Sequence, residues 1–151
     1  MIRNRTTVKP GLFLQPFVVS QLSGRLIEQI VEGSDVTPAE YAVTSWLNAT
    51  GPATPGEISR ELGITPTTLS AMIDRLVNKK QIKRVSHPDD GRSYLLEPTA
   101  KGKRTNERNG ARFLATIDAL RANLEGEPED ILEAMRLLED ALRRTLAEPR
   151  G

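Results

Sequence analysis

Apolar residues recur at Val18, Leu22, Leu26 and Ile30, with Val19 and Ile27 beside them, so the stretch from about Leu12 to Val31 predicts one long helix with a single apolar stripe. Gly33 and Ser34 end it. Thr37-Pro38-Ala39-Glu40 then sets a capping threonine, a proline at the first helical position and a glutamate three residues after the cap, the pattern of a capping box. The helix it starts carries Tyr41, Val43, Trp46 and Leu47 and stops near Gly51-Pro52. The same start recurs at Thr54-Pro55-Gly56-Glu57 for a short helix through Leu62, and in weaker form at Thr65-Pro66 for one through about Lys79.

Beyond them the period changes. Ile82–Ser86 and Ser93–Glu97 are short β-prone runs, and the turn formers of His87-Pro88-Asp89-Asp90-Gly91-Arg92 lie between them, which predicts a hairpin. Pro98-Thr99 closes it. A fifth helix follows with Phe113, Leu114, Ile117, Leu120 and Leu124, and Gly126 and Pro128 interrupt it before a sixth. In that last helix Ile131, Met135, Leu138, Leu142 and Leu146 come close to a heptad seam. The fold class expected is mainly α with a small β-hairpin.

Glu57 to Leu76 reads as two helices meeting at Gly63, which can take the left-handed conformation of a tight helix end. Ile58, Leu62 and Ile64 on the first helix and turn, and Leu69, Met72, Ile73 and Leu76 on the second, face inward. A helix pair over so short a turn is the helix-turn-helix arrangement, whose second helix can enter a major groove; an αα-hairpin buried in another helical fold obeys the same packing rules. Helical periodicity then turns Thr67, Ser70, Ala71 and Asp74 outward, with Thr68 and Arg75 on the flanks. This small polar face allows close approach to DNA, and amides left free after Thr65 would add an anion-binding terminus. Arg92 at the hairpin tip can reach a minor groove, with Asp90 expected to hold its guanidinium; the plainer reading is a surface turn with an incidental ion pair.

Composition bounds the function. At 151 residues the chain fits one domain, and without cysteine it has no disulfide framework, no thiolate nucleophile and no cysteine-based oxidant sensor, so a cytoplasmic location is expected. One histidine argues against a protein-made zinc site. Arg3, Arg5 and Lys9 precede an apolar stretch, but Pro10 and Pro16 break it, and no run approaches a membrane span of roughly 20 apolar residues. No phosphate-cradling glycine loop and no Ser-His-Asp set is present, and the Asp89-Asp90 pair sits in a turn, so the chain is expected not to be an enzyme and to need no cofactor. The net charge of +1 hides an uneven distribution: residues 60–104 hold ten Lys/Arg against five acids, and the flanking segments are mildly acidic. A basic middle places phosphate attraction on one face.

The run Leu62-Gly63-Ile64-Thr65-Pro66-Thr67-Thr68-Leu69-Ser70, then Ile73-Asp74-Arg75-Leu76-Val77, Asp89-Asp90-Gly91-Arg92-Ser93 and Thr99-Ala100-Lys101-Gly102, resembles the MarR family of bacterial transcriptional regulators. The resemblance implies a winged helix-turn-helix fold of six helices in an intertwined homodimer. Its DNA-binding lobe would span about 37–100 and its dimerisation helices about 12–32 and 105–147. The implied DNA contacts are Thr65, Pro66, Thr67, Thr68, Ser70 and Arg75 at the recognition helix and Asp90 and Arg92 at the wing. Ala71 stands where many members carry a long basic or polar residue, and Gln81 where a glycine often ends the recognition helix.

The stripes on the first and last helices exceed what one small lobe can cover, and a symmetric homodimer is the usual solution. Two recognition helices about 34 Å apart would read half-sites roughly 10 base pairs apart in a pseudopalindromic double-stranded operator. Similarity to the family also implies a repressor released by a small aromatic or phenolic ligand. Phe17, Tyr41 and Trp46 fall near the expected junction and can line a pocket, although aromatic residues at helical spacing are more often core. The rival class is a winged-helix adaptor or antirepressor that binds protein instead of DNA, since fold does not fix function.

Overall fold

The computed structural model describes residues 11–149. They form α1 (Leu14–Val31), α2 (Pro38–Thr50), α3 (Pro55–Leu62), α4 (Pro66–Asn78), the strands β1 (Ile82–Ser86) and β2 (Tyr94–Pro98), α5 (Ala100–Ala122) and α6 (Pro128–Ala147). The expected fold of six helices with one hairpin is therefore the observed one, and no helix among the described residues is long and apolar enough to cross a membrane.

The helix starts follow from their caps. Thr37 and Thr54 each accept a hydrogen bond from the backbone N–H three residues on, while Glu40 and Glu57 reach back to the cap backbone. Each box satisfies two donors that a helix start leaves orphaned. The Thr54 backbone and hydroxyl, bonded to the Glu57 carboxylate, hold it below the usual range.

The chain divides into two compact units, one ending at Phe113 and one beginning at Leu114. In the first, the core is built from Val43 and Leu47 of α2, Ile58 of α3, Leu69, Met72, Ile73 and Leu76 of α4, Ile82 of β1 and Leu96 of β2. The strands pair antiparallel with Ile82 opposite Pro98 and Ser86 opposite Tyr94. β2 begins one residue later than the alternation predicts, because Ser93 donates its N–H to the Asp90 carbonyl and belongs to the turn. Ala53 exchanges two backbone hydrogen bonds with Leu96, which ties the α2–α3 connection to the hairpin.

α4 ends at Asn78, and Lys79, Lys80 and Gln81 lead into β1. Lys80, with φ +57°, takes the left-handed position, and the N–H groups of Lys80 and Gln81 close onto the carbonyls of Val77 and Leu76. This is a Schellman ending with lysine where glycine is favoured. Gln81 is fully buried: its Nε2 donates to Asp35 Oδ1 at 2.6 Å and Thr105 Oγ1 at 3.2 Å. The start of α5 crosses the Gln81 backbone so closely that a Cβ on Gly102 would overlap the Gln81 carbonyl. That contact accounts for the glycine of the Thr99-Ala100-Lys101-Gly102 motif.

Candidate nucleic-acid interface

α3 and α4 meet at Gly63 in the left-handed conformation, φ +64°, and the Ser59 hydroxyl bonds the Ile64 carbonyl at 2.6 Å to brace the turn. α4 buries Leu69, Met72, Ile73 and Leu76 and exposes Thr67, Ser70, Ala71 and Asp74, as helical periodicity predicts. The outward face is therefore short, polar and accessible.

At the start of α4 the expectation of several free amides needs correction. Pro66 has no N–H, and the Thr68 N–H donates to Thr65 Oγ1, whose own hydroxyl donates to Thr68 Oγ1 at 2.9 Å. The Leu69 N–H already bonds the Thr65 carbonyl. Thr67 alone in this first turn keeps a backbone donor without a partner among the described residues. Thr65 and Thr68 thus shape the helix end, and the anion-binding capacity there is one amide wide.

Arg75 is anchored from behind. Its Nε donates to Glu40 Oε1 at 3.1 Å, and Lys79 Nζ meets Glu40 Oε2 at 2.7 Å. Burial of Glu40 works to raise its pKa, but Lys79, the Thr37 amide and Arg75 outweigh it and hold the carboxyl below its ordinary value. Arg75 remains half-exposed, so its terminal nitrogens stay available while Nε fixes the stem. Nothing in the helical pattern reveals this clamp, since Glu40 also serves the cap of α2 and lies 35 positions away.

The hairpin is bolted to the same helix. Arg84 of β1 meets Asp74 Oδ1 at 2.7 Å, with its guanidinium 5.5 Å from the centre of the Tyr94 ring. Tyr94 and Asp74 both favour the charged arginine and raise its pKa. At the tip, His87 Nδ1 accepts the N–H groups of Asp89 and Asp90, each at 3.1 Å. Asp90 Oδ1 accepts the Arg92 backbone N–H at 3.0 Å. The expected grip of Asp90 on the Arg92 guanidinium is thus replaced by a grip on its backbone, because the turn brings the amide to the carboxylate first. The exposed Arg92 guanidinium has no partner among the described residues.

Pro55, Gly56, Ser59, Arg60, Pro66, Leu69, Ser70, Ile73 and Tyr94 line a cleft of about 350 Å³ between α3, α4 and the hairpin. The predicted aromatic trio is not gathered in this way. Phe17 is exposed, Tyr41 belongs to the buried core and Trp46 packs against that core. None of the three lines this cleft or the cavity at the start of α5 described below.

A helix pair closed by a left-handed glycine, an outward polar second helix and an arginine-tipped hairpin clamped to it define a winged helix-turn-helix protein. The model of the MarR family matches residues 34–93. The multiple antibiotic resistance protein MarR of Salmonella typhimurium is 30% identical over 86 residues, 57% of this chain and 60% of that protein. The HTH-type transcriptional repressor YetL of Bacillus subtilis is 23% identical over 135 residues, 88% of this chain and 80% of that one. A crystal structure of mutant MarR from E. coli complexed with operator DNA superposes with a TM-score of 0.71 at 26% identity, covering 85% of this chain and 91% of that one. PcaV of Streptomyces coelicolor, solved with its natural ligand, shares the fold with a TM-score of 0.75 at 24% identity, covering 94% of this chain and 99% of that one. In sequence over residues 34–93 and in fold, the chain is similar to proteins of the MarR family. It spans about 60% of the length of the MarR proteins it matches in sequence.

Proposed function

We propose that this chain is a sequence-specific double-stranded DNA-binding transcriptional regulator of the bacterial cytoplasm, acting as a homodimer and as a repressor released by a small molecule. α4 lies in the major groove, with Thr67, Ser70 and Arg75 towards DNA and Thr65, Pro66 and Thr68 shaping the helix end. Arg92 enters the adjacent minor groove from a turn held by Asp90 and His87. Residues 37–100 form the reading lobe, and 12–32 with 105–147 supply the dimer helices. No catalysis is assigned to it. The carrying observation is the juxtaposition of an outward, small polar face on α4 with Arg92, whose guanidinium has no partner among the described residues, on a hairpin clamped to that helix by Asp74–Arg84. The operator complex of the E. coli relative supports the DNA partner.

Selection of bound fragments from random DNA tests the reading. A pseudopalindrome with half-sites roughly 10 base pairs apart is expected. Affinity for it is expected to fall by about a thousandfold or more between 50 and 200 mM salt if six or more phosphates are neutralised. R92A is expected to cost about tenfold, the scale of one good groove contact. No enriched sequence and no salt dependence would favour the protein-binding adaptor. For the small aromatic or phenolic ligand, a thermal-shift hit that also lowers DNA affinity and is lost in W46A supports a pocket at Phe17, Tyr41 and Trp46.

A further inference from the structure

The seam between the α1–α2 loop and the first half of α5 holds a basic cavity that the DNA-reading account does not use. Lys101, Arg104 and Arg108 stand three and four residues apart on α5, which brings them to one side of the helix. With Gly33, Asp35 and Thr105 they line an open cavity of about 460 Å³. Three cations there face one carboxylate. That carboxylate is already engaged on both oxygens, by Lys101 Nζ at 2.6 Å and by the buried Gln81 Nε2 at 2.6 Å. Arg104 and Arg108 are exposed and have no hydrogen bond or ion pair with any described residue. Two free guanidinium forks in a concave, positively charged setting match the planar oxygens of carboxylate or phosphate.

The cavity is also connected to the recognition helix. Lys101 Nζ donates to the carbonyl of Lys79, the C-cap of α4, at 2.7 Å. Lys79 in turn reaches the buried Glu40, which holds Arg75. An anion that draws Lys101 away from Asp35 therefore loosens a bond at the end of α4 and frees Asp35, the partner of Gln81.

We infer that this cavity binds a small organic anion of at least two negative charges, a phosphate ester or polycarboxylate, and that its occupation changes DNA affinity through Lys101 and Lys79. The regulatory half rests on the DNA-binding reading above. The site lies apart from Phe17, Tyr41 and Trp46, none of which lines it.

Isothermal titration of the full chain without DNA, using inorganic pyrophosphate and citrate at constant ionic strength, tests the site. At least one probe is expected to bind the wild-type chain and to lose tenfold or more in affinity in the R104S/R108S double variant, both proteins melting at closely similar temperatures. On the selected operator, the anion-free double variant is expected to match wild type within about twofold, with the same salt slope. Saturating probe is expected to shift wild-type DNA affinity by about fivefold or more and to leave the variant unmoved. No probe binding to wild type, or equal binding by both proteins, overturns the site. A weaker anion-free affinity of the variant with a shallower salt slope assigns the two arginines to DNA phosphates and overturns it equally. Probe binding without any change in DNA affinity overturns the regulatory half. Failure of every form to bind DNA overturns the DNA reading and the regulatory half together, while the titration still decides the site.

Discussion

α4 and α6 are both amphipathic helices with apolar residues at helical spacing, yet they meet opposite fates. In α4 the stripe disappears into the lobe, with Leu69 at 1% and Leu76 at 0% exposure. In α6 no residue is buried: Met135 is 53% exposed and Leu146 76%. α1 resembles α6 along most of its length, with Leu22 half-exposed and burial confined to Ile30 and Val31. A fully buried leucine contributes about 1.5–3 kcal/mol relative to an exposed one. A stripe of that size left in water is comparable to the whole net stability of a domain. The lobe thus buries its apolar stripe within one chain, whereas the terminal helices leave theirs exposed, the surface that the proposed homodimer uses.

The harshest way to break this contrast is to charge the α6 stripe. M135E/L142E is expected to leave a monomer in light scattering and to lower operator affinity by a hundredfold or more, since two linked reading heads gain that much from effective concentration. A dimer of unchanged affinity would show that the stripe serves something else. In α4 the cost is internal: L76A is expected to destabilise the chain by about 2–5 kcal/mol in denaturant titration, through lost transfer energy and the remaining cavity. The same leucine-to-alanine change at Leu146 is expected to cost far less in a monomeric background.

The Glu40 clamp sharpens the lobe side of the comparison. E40Q removes the charge from charge-assisted bonds to Arg75 and Lys79, at an expected cost of about 1.5–3 kcal/mol. Because the folded carboxyl sits below its ordinary value of 4.5, its stabilisation is fully present above that pH and is lost as pH falls through the lower folded value. Stability curves of wild type and E40Q are therefore expected to converge below pH 4.5. Curves that stay parallel would contradict the clamp. The smallest effect expected is at a cap, where T54A costs about 1 kcal/mol with no change in DNA affinity beyond that stability loss.

Local chemistry made most of the architecture readable. Thr37, Thr54 and Thr65, each followed by proline, mark their helix starts directly, and Gly63 marks the turn between α3 and α4. The hairpin was legible to within one residue because its turn is so rich in Pro, Asp and Gly. The contacts that orient the site were hidden, because they join positions far apart in the chain. Glu40 with Arg75, Arg84 with Asp74, and Gln81 with Asp35 have no periodicity to betray them. Asp90 shows the same limit at short range. Its spacing to Arg92 was visible, but only the turn geometry decides that it holds the backbone and not the guanidinium.

The central claim is that the short polar side of α4 faces DNA, and S70E tests it most directly. Ser70 is exposed and outside the core, so the melting temperature and the dimer are expected to be unchanged. A carboxylate set against phosphates and base edges is expected to reduce operator affinity by about a hundredfold, through repulsion and the loss of close approach. An S70E dimer that binds the selected operator as tightly as wild type would contradict the account.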